Sequence, residues 1–230
     1  MLEILYQDEN IVAINKPHGL LVHQSSIARD AEEFALQLLR DQIGQNVWPA
    51  HRLDRKTGGV LLFSLNQETN KILQGMFREN EMDKKYLAIV RGYFPDELKI
   101  DYPLKKDNGV IQEALTYVKC LNRAEVDFQI GTHPTSRYSL IEANPQTGRM
   151  HQIRKHLAHV MHPIIGDRPH GCNKKNRYFK NELEMDTMML HALSLEFIHP
   201  YSKETIKIEA SLQSEFLRML STLNLQIGRI

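Results

Sequence analysis

His51-Arg52-Leu53-Asp54-Arg55-Lys56-Thr57-Gly58-Gly59 runs straight into Val60-Leu61-Leu62-Phe63-Ser64-Leu65. The second half is a nearly continuous apolar run, and it predicts a buried strand over 60–65. Just before it, the two glycines permit positive φ and close approach of another backbone or a ligand. Downstream, the spacing of Ile72, Leu73, Met76 and Phe77 predicts a helix over 66–82. A strand is predicted over 86–90, closed by Arg91-Gly92. Upstream, strands over 4–6 and 11–15 flank a turn, and Lys16-Pro17-His18-Gly19 reads as a second turn. A helix over 31–40 places Phe34, Leu38 and Leu39 on one stripe.

The same reading continues to the C-terminal end. Strands are predicted over 114–121, 138–143, 190–198 and 205–210, and helices over 149–160 and 212–223. Strands outnumber helices and do not alternate with them as βαβ units would. The expected class is therefore α+β, with a largely antiparallel mixed sheet and flanking helices. The polar stretch Pro95–Gly109 is the expected seam between two lobes of a single domain spanning 1–230.

Composition narrows the function classes. Apolar residues make up 42% of the 230-residue chain, enough for a sizeable core. With 29 basic and 28 acidic residues, overall charge gives no argument for a nucleic-acid partner, so any such argument must be local. Cys120 and Cys172 are far apart and form no CxxC pair, which fits a reduced, cytosolic chain without a thiolate metal site. No basic n-region with an apolar run opens the sequence, and no stretch approaches the roughly 18 apolar residues of a membrane span.

Local charge is uneven. Between residues 149 and 180, Arg149, Arg154, Lys155, Arg168, Lys174, Lys175, Arg177 and Lys180 face the single acid Asp167. Eight minus one leaves a formal charge of +7, the pattern expected for contact with a phosphate backbone. The plainer alternative is a solvated loop, but the near-absence of acids favours RNA contact. His156, His159 and His162 recur every three residues, but on a helix each step rotates the side chain away from its predecessor, so a shared metal ion is not expected.

Three further positions carry chemistry. Asp54, flanked by Arg52, Arg55 and Lys56, stays ionised and is fit to act as nucleophile or base, unless the cluster is only a surface salt-bridge network. Arg154 lies on the flank of the apolar face of its helix, beside Ile153, and reaches inward to a carboxylate, with Asp54 a candidate, or snorkels to water. Tyr86 is ordinary core or a stacking platform for a base.

Taken in order, the segments resemble the motifs of the RluA-type pseudouridine synthases. These are His51-Arg52-Leu53-Asp54 with Thr57 and Gly59, Lys84-x-Tyr86, Gly148-Arg149-x-His151-Gln152-Ile153-Arg154, His162-Pro163-Ile164-Ile165-Gly166-Asp167, and Leu190-His191-Ala192 with His199-Pro200. The opening Met1-Leu2-Glu3-Ile4-Leu5-Tyr6, Leu21-Val22-His23, Thr135-Ser136-Arg137-Tyr138 and His170-Gly171…Asn176-Arg177 are similar to one branch, which acts on uridine 65 of tRNA. One position departs: the family's usual Ser after Thr57 is replaced by Gly58.

The resemblance implies a catalytic fold with a central cleft and no added N-terminal RNA-binding domain. It implies Asp54 as the essential carboxylate, Arg154 as its partner, and Tyr86 stacked on the base. Arg52 is expected to hold the opened helix. His51, Arg149, His151 and Gln152 are expected to contact RNA with Lys174, Lys175 and Arg177. A cytoplasmic monomer with a tRNA substrate, no metal and no cofactor is expected. The alternatives are 23S ribosomal RNA as substrate, a silent RNA-binding module, and a metal-dependent hydrolase.

Overall fold

The computed structural model describes residues 1–24, 33–130 and 133–228. The chain begins with β1 (Glu3–Gln7), β2 (Ile11–Lys16), α1 (Ala35–Ile43), β3 (Trp48–Pro49), β4 (Gly58–Ser64) and α2 (Gln67–Glu79). It continues with β5 (Asp83–Arg91), β6 (Glu97–Asp101), β7 (Leu104–Lys105), β8 (Ile111–Gln112), β9 (Leu115–Val126) and β10 (Ser136–Pro145). It closes with α3 (Gln152–His159), α4 (Asn173–Glu182), β11 (Leu190–Ile198), β12 (Thr205–Glu209) and α5 (Ser214–Thr222). The class is α+β with a mostly antiparallel mixed sheet, as expected.

Two compact units divide the chain. The first is Met1–Lys84 with His191–Ser211, and the second is Lys85–Leu190 with Leu212–Ile230. The expected seam at 95–109 instead holds β6, β7 and the turn after them, inside the second unit. Leu98 and Ile100 supply that stretch with a short alternating pattern among polar neighbours, enough for a strand once β9 offers a ladder.

In the first unit β2 pairs antiparallel with β1 and with β4, and β3 also joins β4. Every residue of β2 and β4 is buried, which is why both read as apolar runs without alternation. β11 lies parallel to β4 through His191↔Gly58 and Ala192↔Gly59, and β12 pairs antiparallel with β11. Ile11, Ala13, Val60, Leu62, Leu73, Leu195, Phe197 and Ile208 form one core cluster. α2 packs Leu73 into it and is bounded as its sequence demands. Asn66 Oδ1 accepts from Thr69 N (2.8 Å), and Asn80 takes the left-handed conformation at the other end. α1 starts four residues later than the predicted 31–40 and ends at Gly44 with φ +70. The part of that prediction at residues 31–32 lies outside the described residues.

The second unit is built on the ladder β5–β10–β9–β6. β9 and β10 form a long hairpin with a bulge between Leu140 and Ile141. β7 and β8 make a separate two-residue pair. α4 was not predicted: of its ten residues only Phe179 is buried, so it has no apolar stripe to detect. Phe179 meets the ring of Tyr138 edge-on at 5.6 Å, and that contact fastens the helix to β10. α3 is shorter than the predicted 149–160 because His151, at φ +55, sets its first turn at Gln152.

Candidate active site

Asp54 lies in the first unit, at the start of a turn closed by Thr57 N donating to its carbonyl (3.0 Å). The turn before it in sequence, after β2, is laced to this one. Gly19 N donates to Arg55 O (2.8 Å), Arg55 Nε donates to Gly19 O (3.0 Å), and His18 Nδ1 is 2.7 Å from Lys56 O. The fastening is completed by Lys16, which is wholly buried. Its ammonium donates to the carbonyls of Pro17 (3.0 Å), Leu20 (2.8 Å) and Arg55 (3.2 Å). Burial pushes Lys16 down to about 7, while the negative charge of Asp54 pulls it back up. The catalytic carboxylate implied by the motif therefore has a buried cation next to it that sequence reasoning passed over as part of a turn. The available signal was a lysine closing an otherwise apolar strand directly before Pro17.

Gly59 explains the end of the motif. Its φ is +106, and a Cβ placed there would sit 2.1 Å from Ala192 O. Only glycine lets β4 and β11 approach this closely. Arg52 is exposed. His51 is engaged differently from the expectation. Its Nε2 accepts from Leu62 N (3.1 Å), its ring stacks on Phe77 at 4.5 Å, and burial followed by the charge of Lys84 lowers it to about 3. It is a neutral strut for the turn.

Arg154 and Tyr86 belong to the second unit. Arg154 points inward, one of the two directions its place on the flank of the apolar face left open. Nε and one terminal nitrogen fork onto Asp167 Oδ2 and Oδ1, both at 2.8 Å, and the two side chains are 8% and 1% exposed. Asp167 was missed as a site residue, although it was the single acid in the cation-rich stretch. Its turn is tightly specified. Gly166 has φ +81 with a would-be Cβ 2.1 Å from Thr187 O, and Asn176 bridges Gly166 N (3.1 Å) and Asp167 O (2.7 Å). His170 N donates to Asp167 Oδ1 (3.3 Å), and the His170 ring meets His151 at 3.0 Å between nitrogens. The second unit thus brings Arg154, Asp167, His151 and His170 together.

Gln152 is bonded within the protein at both ends of its amide. Its amide nitrogen donates to Leu115 O (2.9 Å) and Thr116 Oγ1 (3.0 Å), and its oxygen accepts from Thr147 Oγ1 (2.6 Å) and Arg149 N (3.0 Å). It is 4% exposed and ties the head of α3 to β9. Arg149 Nε donates to Glu113 O (2.9 Å). Tyr86 is half-buried on β5 opposite Ala143. Lys174 and Arg177 are exposed on α4, and Lys175 is half-buried. The regularly spaced histidines go separate ways: His156 to Thr116 Oγ1 and Tyr102 O, His159 stacked on Tyr102 at 3.6 Å, and His162 to Arg91 O.

The fold and these motifs define a class. The profile of the RNA pseudouridylate synthase family matches residues 10–159, and the chain belongs to that family. It is an enzyme, an isomerase. Among individual proteins it is similar to tRNA pseudouridine synthase C of Vibrio parahaemolyticus, 45% identical over 96% of this chain and 94% of that one. It is also similar to the protein of the same name from Pasteurella multocida, 42% identical over 100% and 99%. The one from Haemophilus influenzae is 44% identical over 96% and 97%. Among solved structures, human RNA pseudouridylate synthase domain containing 4 superposes with a TM-score of 0.75 at 25% identity, covering 99% of this chain and 95% of that one. No helix among the described residues is long and apolar enough to cross a membrane.

Proposed function

We propose that this enzyme isomerises a uridine of tRNA, at position 65, to pseudouridine, with Asp54 as the catalytic carboxylate. The observation that carries this reading is near-full-length identity above 40% to several proteins named tRNA pseudouridine synthase C. The resemblance to the branch acting on uridine 65 supports the position. The turn around Asp54, held by the buried Lys16, supports a carboxylate kept in one place.

The reaction balances within the substrate. The N1–C1′ bond breaks, the uracil turns, a C5–C1′ bond forms, and the proton lost from C5 is matched by one gained at N1. No electrons are exchanged, so the chemistry calls for no redox cofactor. Asp54 serves it by attacking the ribose, attacking the ring, or removing a sugar proton. Any of these requires the base to leave its stem, at a cost of a few kcal/mol. In this reading Tyr86 stacks on the displaced base, Arg154 supports the carboxylate, and Arg52 holds the opened helix. Arg149, His151, Lys174, Lys175 and Arg177 contact the RNA. The whole of 1–230 works as one catalytic domain, and a cytoplasmic monomer suffices because one copy carries every residue named.

Asp54→Asn tests it. The variant keeps its shape and its tRNA binding but forms no pseudouridine when product is quantified by mass spectrometry of digested tRNA. Turnover at the wild-type rate removes Asp54 from its role. Pseudouridine appearing in 23S ribosomal RNA and not in tRNA replaces the substrate.

A further inference from the structure

Within the second unit, the end of β5, the start of β10 and the first turn of α4 enclose a cavity of about 430 Å³. Arg91, Arg137, Tyr138, Lys175 and His133 line it. That volume suits a nucleotide rather than a single small ion. Arg91 and Tyr138 are register partners on adjacent strands. Arg137 is compensated: it pairs with Glu125 (3.2 Å) and lies over the Tyr93 ring at 5.1 Å. Arg91 and Lys175 are not. Among the described residues neither has a carboxylate within ion-pair distance, and they lie close enough for the charge of Arg91, after burial, to push the Lys175 ammonium down. Two like charges beside one cavity are unfavourable unless an anion enters it.

Two independent features point the same way. Tyr138 is 1% exposed, and its hydroxyl makes no hydrogen bond of good geometry among the described residues, although the Ser136 hydroxyl stands close enough to perturb it. The neighbouring Ser136 Oγ donates instead to Phe128 O (2.8 Å). A buried phenol with an unused proton calls for an acceptor. At the start of α4, the first turn carries no acidic residue, and Cys172 precedes it. The Cys172 thiol is pulled down first by the backbone N–H of Lys175 and then by the charge of Arg91, so the field here favours negative charge.

We propose that this cavity is an RNA-backbone subsite, in which one phosphodiester of the substrate and its ribose seat between Arg91 and Lys175 and accept a hydrogen bond from Tyr138. The proposal rests on the reading of this enzyme as a tRNA isomerase and gives Arg91 and Tyr138 a role that the reading does not assign. It also separates Lys175 from Lys174 and Arg177, which face solvent on the same helix.

The test measures tRNA affinity by filter binding across a range of KCl for the wild type, Arg91→Gln, Lys175→Gln and Lys99→Gln. Lys99 is an exposed lysine paired with Asp101 (3.1 Å) and serves as the control. Each of the first two substitutions is expected to weaken binding about tenfold. Each should also lower the slope of log affinity against log salt by about 0.7–0.9. Lys99→Gln should leave the slope alone. In the wild type, bound tRNA should shield Cys172 from iodoacetamide, with Cys120 as the internal reference. Inorganic pyrophosphate at equal phosphate concentration should shield it far less. Unchanged slopes in both variants, or Cys172 labelled equally fast with tRNA bound, overturn the subsite while the isomerase reading stands. Equal shielding by pyrophosphate assigns the cavity to a free anion and also overturns it. A wild type that neither binds nor isomerises tRNA sinks the functional reading and the subsite with it.

Discussion

Arg154 and Asp167 are each charged and each almost wholly enclosed, so neither tolerates the loss of the other. Removing one partner of such a pair strands the remaining charge without water, at about 3–5 kcal/mol. Arg154→Ala is therefore expected to lower stability by that amount in urea denaturation. Arg154→Lys should recover only part of it, because one ammonium cannot reproduce two parallel bonds to a carboxylate. A loss under about 1 kcal/mol for the alanine variant would mean that the pair is dispensable. The inward aim of Arg154 was readable from helical periodicity. Its grip on Asp167 was not, because a turn brings that residue back from 13 positions away. His51 and Gln152 teach the same lesson. A polar residue inside a motif can serve the backbone, and only the positions of Leu62 N, Leu115 O and Arg149 N reveal it.

At the scale of elements, the junction of β4 with β11 depends on one atom being absent. Gly59→Ala would add a Cβ where Ala192 O already stands, at a φ that L side chains rarely adopt. Strain and overlap together should cost more than about 3 kcal/mol and lower the melting temperature by at least about 5 °C. A melting curve indistinguishable from wild type would show that this close approach is not needed. The buried strands were legible because both faces of β2 and β4 are covered and each centres on an apolar run, residues 11–14 and residues 60–63. α4 was not. Its composition is that of a solvated loop, and it is a helix because Phe179 docks on Tyr138 and Asn176 spans the turn at Asp167.

The whole molecule carries a pH signature. His51 at about 3 and His191 at about 4 are lowered chiefly by burial, and burial also lowers His156 and His170. His51 and His191 stay neutral in the fold at neutral and mildly acid pH, while in the unfolded chain they take up protons near pH 6.5, and His156 and His170 shift in the same direction. Their contribution to stability is complete above 6.5 and is lost as pH falls toward 4. Lys16, lowered from 10.5 to about 7, adds a loss of the same sign as pH falls through that range. Stability is expected to peak above pH 7 and to decline steadily from pH 7 to pH 4. Melting temperatures across pH 4–9 check this, and a maximum at pH 5–6 would contradict it. Proton NMR adds a direct readout, with the His51 ring remaining untitrated at pH 4.5.

Taken alone, the sequence determined the class of fold, the positions of the buried strands and the family, and it singled out Asp54 as the carboxylate proposed for catalysis. These are local or ordered properties: hydrophobic period, turn residues, and motifs spaced along one chain. The tertiary structure alone decided that Lys16 closes beneath the Asp54 turn, that Asp167 holds Arg154, and that Arg91 meets Lys175 across a cavity. The reason is physical. A charge buried by folding is answered by whichever group the chain returns to that place, and the distance along the sequence carries no record of that return.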